Sequence, residues 1–449
     1  MPDVLIVTRN FPPASHVSVE RALKLAKYLP EFGWRPTVLT GARATVGLPE
    51  DPALAAQVAG IEVVRARAPE FSLFYGGRAT RGGAKAGEPA VARHGAPRRG
   101  KLHPKAWLVP DSQVLWYPFA VRAALRRAHA GRWDVIVGTS FPPTAILIAH
   151  TIAARLRVPY VADFRDAWTR YPYAPRRPAP LAELDRRLEA RMIRDAAGVV
   201  AVDAGLVEYA FARLAPDDRP PLHVIQNGYD EDDFRGAVPA ELPAFSIVHT
   251  GRLRRSPRPL WNALAHALRE RPELRGRLHV WQVGVVDPGV TDDLQAPPEG
   301  VTVHLVPTVP QREAIRYMLG ADLLLLEEFE SIMPSKALQY LRAARPLLAL
   351  TDAGGAICDL LRDMPETHLV DRGDPARAGT LIAALAAGPR PAPREPGNGV
   401  AAYSRREIAR RYAAVLDAAR ERALVPRPAP SGPLDFGPEA EQRVLRGHE

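Results

Sequence analysis

Short, wholly apolar runs alternate with segments of helical periodicity along this 449-residue chain, and the alternation starts over once. No other feature limits the fold so strongly. A run such as Val4-Leu5-Ile6-Val7 has no polar alternate position, so both of its faces must be covered. A turn with Pro12-Pro13 follows, then Val19, Ala22, Leu23, Ala26 and Leu29 at helical spacing, a stop at Gly33, and a second run, Pro36-Thr37-Val38-Leu39-Thr40. This is a βαβ unit. Further strands are expected at 61–64, 134–137, 160–164, 198–202 and 223–226. The acidic, proline-containing stretch 230–243 reads as a linker. Beyond it, strands at 246–251, 278–284, 301–305, 323–326, 346–350 and 368–370 repeat the scheme. The expectation is α/β: two doubly wound, Rossmann-like parallel-sheet units of comparable size, 1–235 and 243–400, followed by a charged amphipathic helix at 401–424 that crosses back to the first unit. Ligands of such sheets bind beyond the C-terminal ends of the strands.

Hydrophobic content of 47% and charged content of 24% fit a globular protein of two domains. The net charge of +10 suggests an anionic partner: nucleotide phosphates, a lipid pyrophosphate, an acidic membrane surface or nucleic acid. One cysteine, Cys358, excludes an internal disulfide framework and a Cys-rich metal site, and no His-Glu-x-x-His string occurs. No metal is expected, and Asp230-Glu231-Asp232 reads as solvated. The N-terminus lacks a basic leader, and no apolar stretch approaches the roughly 20 residues of a membrane span. A cytoplasmic protein is expected, with peripheral contact to the inner face of the membrane left open. Residues 71–105 carry eight cations against Glu88 alone and read as a mobile basic loop, either a grip for an anionic acceptor or a solvated insertion. The 425–449 tail, rich in Pro and Gly, reads as disordered.

Of 60 Lys and Arg residues only six are lysines, and Lys336 is the only one after position 105. It sits in Met333-Pro334-Ser335-Lys336-Ala337-Leu338-Gln339-Tyr340, just after the expected strand at 323–326. A compact ammonium at a helix start, beside Ser335 and free backbone N–H groups, suits a diphosphate; an ordinary exposed lysine is the alternative.

These residues resemble a known family, the retaining family-four glycosyltransferases of the GT-B fold. The likeness runs through Phe11-Pro12-Pro13, Val19-Glu20-Arg21, Phe32-Gly33-Trp34, Asp163-Phe164-Arg165-Asp166-Ala167-Trp168, Asn227-Gly228-Tyr229-Asp230, Thr250-Gly251-Arg252-Leu253 and 334–346. It covers about 4–424 apart from the basic loop. The resemblance implies two units facing a central cleft and transfer of a sugar from a nucleotide diphosphate sugar, with retention, to a saccharide or lipid-linked saccharide in cell-surface polysaccharide synthesis. No cofactor and no nucleic acid partner are implied. It implies leaving-group stabilisation by Arg252 and Lys336, with Arg165 and Asp166 also at the reacting centre. Gly251, Ser335, Leu338, Gln339, Pro307 and Thr308 would hold the donor. Arg21, Asp111 and Trp116 would lie on the acceptor side, with packing or surface roles as alternatives. His249, inside a strand, reads as a satisfied core histidine. The chain departs from the family where it often has two glutamates, here Ser331 and Gln339, and where many relatives carry a histidine, here Arg165. An impaired nucleotide-sugar-binding scaffold subunit and a sugar-nucleotide epimerase are therefore rival readings.

Overall fold

The computed structural model describes residues 1–43, 45, 48, 50–69, 104–171, 174–327, 335–351, 356–362, 364–392, 394–397 and 399–422. The basic loop up to residue 103, the 425–449 tail, Glu328, Glu330, Ser331, Met333 and Pro334 lie outside the described residues. The chain divides into two units, 1–226 with 408–449, and 227–407.

In the first unit seven parallel strands run β1 (Asp3–Val7), β2 (Arg35–Gly41), β3 (Glu62–Ala66), β4 (Val135–Thr139), β5 (Tyr160–Phe164), β6 (Gly198–Ala201) and β7 (Leu222–Val224). Their spatial order is β3-β2-β1-β4-β5-β6-β7. The second unit holds six: β8 (Phe245–Thr250), β9 (Leu278–Val283), β10 (Val301–Val306), β11 (Leu323–Glu327), β12 (Leu347–Thr351) and β13 (Thr367–Asp371). These pair in parallel in the order β10-β9-β8-β11-β12-β13. Strand order therefore reverses once in each sheet, between β1 and β4 and between β8 and β11.

Two-sided burial explains the apolar runs. Strands β4, β5, β8, β11 and β12 are buried at every position. In the second unit Leu323, Leu325, Leu348 and Leu350 face a cluster with Leu260, Trp261 and Leu264 of the helix Arg258–Glu270. The alternate residues Leu324, Leu326, Leu347 and Ala349 face the opposite cluster, with Ala337, Leu338, Tyr340 and Leu341 of the helix Ser335–Ala343. This period of two, apolar on both sides, is what a covered parallel strand requires.

The final described helix, Arg405–Arg422, buries Ile408, Ala409, Tyr412, Val415, Leu416 and Ala419 in the first unit's core. Trp34 Nε1 donates to its Asp417 Oδ1 at 3.1 Å.

The stretch 230–243 is not a linker. Asp230 is buried and caps the helix Glu231–Phe234 by accepting from Asp232 N, and Phe234 and Leu242 enter the second unit's core. Asp230 is therefore not solvated.

Candidate functional site

Open α/β sheets bind ligands outside the strand C-termini where strand order reverses. In the second unit that place lies beyond β8 and β11. Gly251 follows β8 with φ +96, and Gly284 follows β9 with φ +128. A Cβ on Gly284 would stand 2.5 Å from Gly251 O, so the two turns touch backbone to backbone. Arg252 comes next. Its Nε donates to Asp287 Oδ1 at 2.5 Å, and its side chain keeps 40% exposure.

The helix Ser335–Ala343 docks against the end of β8 through residues one turn apart. Tyr340, fully buried, accepts from Thr250 N at 2.7 Å. Lys336 Nζ lies 3.1 Å from His249 Nε2. His249 and Gln282 are register partners on β8 and β9, both buried, with His249 Nδ1 2.6 Å from Gln282 Oε1. Gln282 Nε2 donates to Gly251 O at 2.9 Å. Burial, then the Lys336 charge, pushes the His249 pKa down to about 3 against a weaker pull from Gln282, so the imidazole is neutral at physiological pH.

The sequence-predicted residues of this unit fall into two groups. Gly251, Arg252 and Lys336 come together at the β8 end, with Gln339 half-buried on the same helix. Pro307 and Thr308, just past β10, are exposed. Leu338 is a correction: its side chain belongs to the core and cannot line an open site. The Ser335 backbone begins the helix.

In the first unit the corresponding arginines are turned inward. Arg21 is 1% exposed and grips the Asp163 carboxylate through Nε and Nη2 at 2.8–3.1 Å, while Nη1 donates to Gln226 O. It is neither on the surface nor placed to meet an acceptor. Arg165 donates to the carbonyls of Ser140, Ser18 and Phe141 at 2.5, 2.7 and 3.2 Å. Arg9, absent from the sequence-based candidates, is as deeply buried, held by Gln113 and Arg43 O. Asp166 is half-buried beside Arg165, and its carbonyl accepts from Ser140 Oγ. Asp111 accepts from Thr144 N and Oγ1, the start of the helix Thr144–Leu156, and Trp116 is completely buried. Trp116 packs the fold, while Asp111 ties down the start of that helix and keeps partial exposure.

A cavity of about 470 Å³ in this unit is lined by Arg170, Tyr171, Arg177, Asp185 and Tyr209 among others. Its Arg177 is spent on Asp185 and on the carbonyls of Leu108 and Pro110. Among the described residues no group of three or more His, Cys, Asp or Glu side chains could hold a metal. No described helix is long and apolar enough to cross a membrane.

Residues 18–228 match the family model of the glycosyl transferase 4-like domain. No curated protein matches the sequence. Among solved structures, sucrose-phosphate synthase from Thermosynechococcus elongatus shares 14% identity at a TM-score of 0.52, over 100% of this chain and 98% of that one. A putative UDP-N-acetylglucosamine 2-epimerase from Listeria monocytogenes shares 12% at 0.52, over 96% and 99%. An E. coli trehalose-6-phosphate structure bound with UDP-2-fluoro glucose shares 11% at 0.50, over 94% and 98%. At such identities the likeness is one of fold. A glycosyl transferase 4-like domain thus occupies 18–228, just under half of the chain, and the two Rossmann-like units have the GT-B fold.

Proposed function

We propose that this protein is a glycosyltransferase that moves a sugar, with retention, from a nucleotide diphosphate sugar to a saccharide or lipid-linked saccharide acceptor, in the synthesis of a surface polysaccharide. One observation carries the donor half of this reading: Lys336 stands at the point where the second sheet reverses its strand order, against the end of β8. A leaving nucleoside diphosphate gathers negative charge as the glycosidic bond stretches. A fixed ammonium, the Ser335–Lys336 backbone N–H groups and the half-exposed Arg252 would stabilise it there. The structural neighbour bound with UDP-2-fluoro glucose supports a nucleotide sugar as donor. The net charge of +10 supports an anionic acceptor and surface contact with the cytoplasmic face of a membrane. The buried Arg21 and Trp116 are left out of acceptor recognition.

Purified protein is incubated with a panel of UDP-, GDP- and dTDP-sugars, and donor consumption and thermal shift are followed with and without saccharide acceptors. Acceptor-dependent release of nucleoside diphosphate is expected. Conversion of the donor to its epimer without an acceptor would favour epimerase chemistry, and binding without turnover a scaffold. Lys336→Ala is expected to lower turnover by about 100-fold or more. Unchanged turnover and donor affinity in that variant would remove the assignment.

A further inference from the structure

We infer that His249 and Gln282 are positioning residues for Lys336: a directed hydrogen-bond chain, Lys336 to His249 to Gln282 to the Gly251 carbonyl, holds the ammonium and the glycine turn after β8 as one anion-binding unit. The inference rests on the proposed role of Lys336 at the donor diphosphate. The direction of the chain follows from its partners. Gln282 Nε2 donates to Gly251 O, which turns Oε1 toward His249 as an acceptor. His249 Nδ1 must therefore carry the ring proton. Nε2 is left with its lone pair facing Lys336 Nζ, which donates to it. Every link lies between 2.6 and 3.1 Å, and both middle members are almost wholly buried.

Two consequences separate this arrangement from ordinary core packing. A neutral imidazole takes one ammonium hydrogen and fixes the direction of the other two without cancelling the charge, as a carboxylate would. Burial disfavours the charged ring, so the neutral form that the chain requires is the favoured one. The Gly251 carbonyl, tied to Gln282, also sets the orientation of the Gly251–Arg252 peptide. The cation from the helix and the turn from β8 are thus placed by one set of bonds.

The probes are UDP and GDP, titrated calorimetrically into the full-length protein, with melting temperature recorded for each variant. Lys336→Ala tests the donor site itself, and weaker binding of the preferred nucleotide is expected. His249→Phe keeps the ring but removes both nitrogens, and a loss of about 10-fold or more is expected. Adding His249→Phe to Lys336→Ala should cost little more, because the two act through one amine. His249→Gln, which again offers a carbonyl oxygen to Lys336 and an amide N–H to Gln282, should recover most of the loss.

If Lys336→Ala weakens binding while His249→Phe binds like the parent, or if the two losses simply add, the relay is wrong and the donor site stands. If Lys336→Ala binds normally, the donor site falls and the relay with it. Should His249→Phe fail to fold, ¹⁵N-histidine NMR of the unaltered protein decides. A neutral Nδ1–H ring at pH 6, identified by its loss in His249→Gln, supports the chain, and an Nε2–H ring overturns it.

Discussion

The C-terminal edges of the two sheets share one topology and dispose of positive charge in opposite ways. In the first unit Arg9, Arg21 and Arg165 are 2%, 1% and 9% exposed, and each is bound to partners inside the unit. In the second, Lys336 is only half-buried against a neutral histidine, and the Arg252 side chain keeps 40% exposure beside Asp287. The same residue type, two positions past the first strand of each unit, is buried scaffold at Arg9 and a partly exposed cation beside Asp287 at Arg252. What decides is whether a buried carboxylate or carbonyl lies within reach of the guanidinium. Composition alone is silent on this.

The largest effect expected from this contrast is at Arg21. Removing one member of a buried ion pair leaves the other uncompensated, at a cost of about 3–5 kcal/mol. Arg21→Ala should therefore lower the urea midpoint of the first unit severely, and Asp163→Asn should do nearly the same. A variant with parental stability and reduced acceptor use would reverse the contrast, making Arg21 a site residue after all.

The two units should also answer pH with opposite signs. Burial raises Glu189 to about 7 against its Thr169 donors, and Asp185 to about 6. The folded state then holds a proton on Glu189 that the unfolded chain has lost above its ordinary value near 4.5. Stability from this group is complete below pH 4.5 and declines as pH rises to 7, by roughly 3 kcal/mol. His249 runs the other way: folded near 3 and unfolded near 6.5, it costs stability as pH falls from 6.5 toward 3. Urea unfolding between pH 5 and 8 checks the first half. Glu189→Gln should flatten the decline with rising pH, and an unchanged slope would mean Glu189 is ionised in the folded protein.

Much of the scaffold was legible because both faces of a parallel strand must be apolar, and runs such as Leu323-Leu324-Leu325-Leu326 have no other soluble use. Lys336 stood out because every other cation after position 105 is an arginine. Long-range pairing was not legible. Arg21 meets Asp163 across 142 positions and Asp111 meets Thr144 across 33, and periodicity carries no information about either. Leu338 was misplaced because a motif marks the helix but not which of its faces enters the core. The stretch at 230–243 looked like a linker because a capping aspartate has the composition of a loop. A signal for the relay was present: His249 and Gln282 each interrupt an apolar strand at the same distance from a following glycine, which places them side by side in register.

The smallest effect sharpens the comparison most, because it separates charge that supports the fold from charge that serves a ligand. The Arg252–Asp287 pair is solvent-accessible on both sides, and such pairs contribute about 0–1 kcal/mol. Arg252→Gln keeps part of the aliphatic stem and some donor capacity, so its melting temperature should stay within roughly a degree or two of the parent. Its kcat/KM for the donor should fall about 10-fold, the share expected of one charge-assisted hydrogen bond to a phosphate. Asp287→Asn supplies the counter-test. Releasing the guanidinium from its carboxylate should leave stability equally untouched and tighten nucleoside diphosphate binding, with a larger gain at low salt. If Asp287→Asn weakens binding instead, the carboxylate orients Arg252 rather than competing for it. The second edge would then be pre-arranged by internal partners as the first one is.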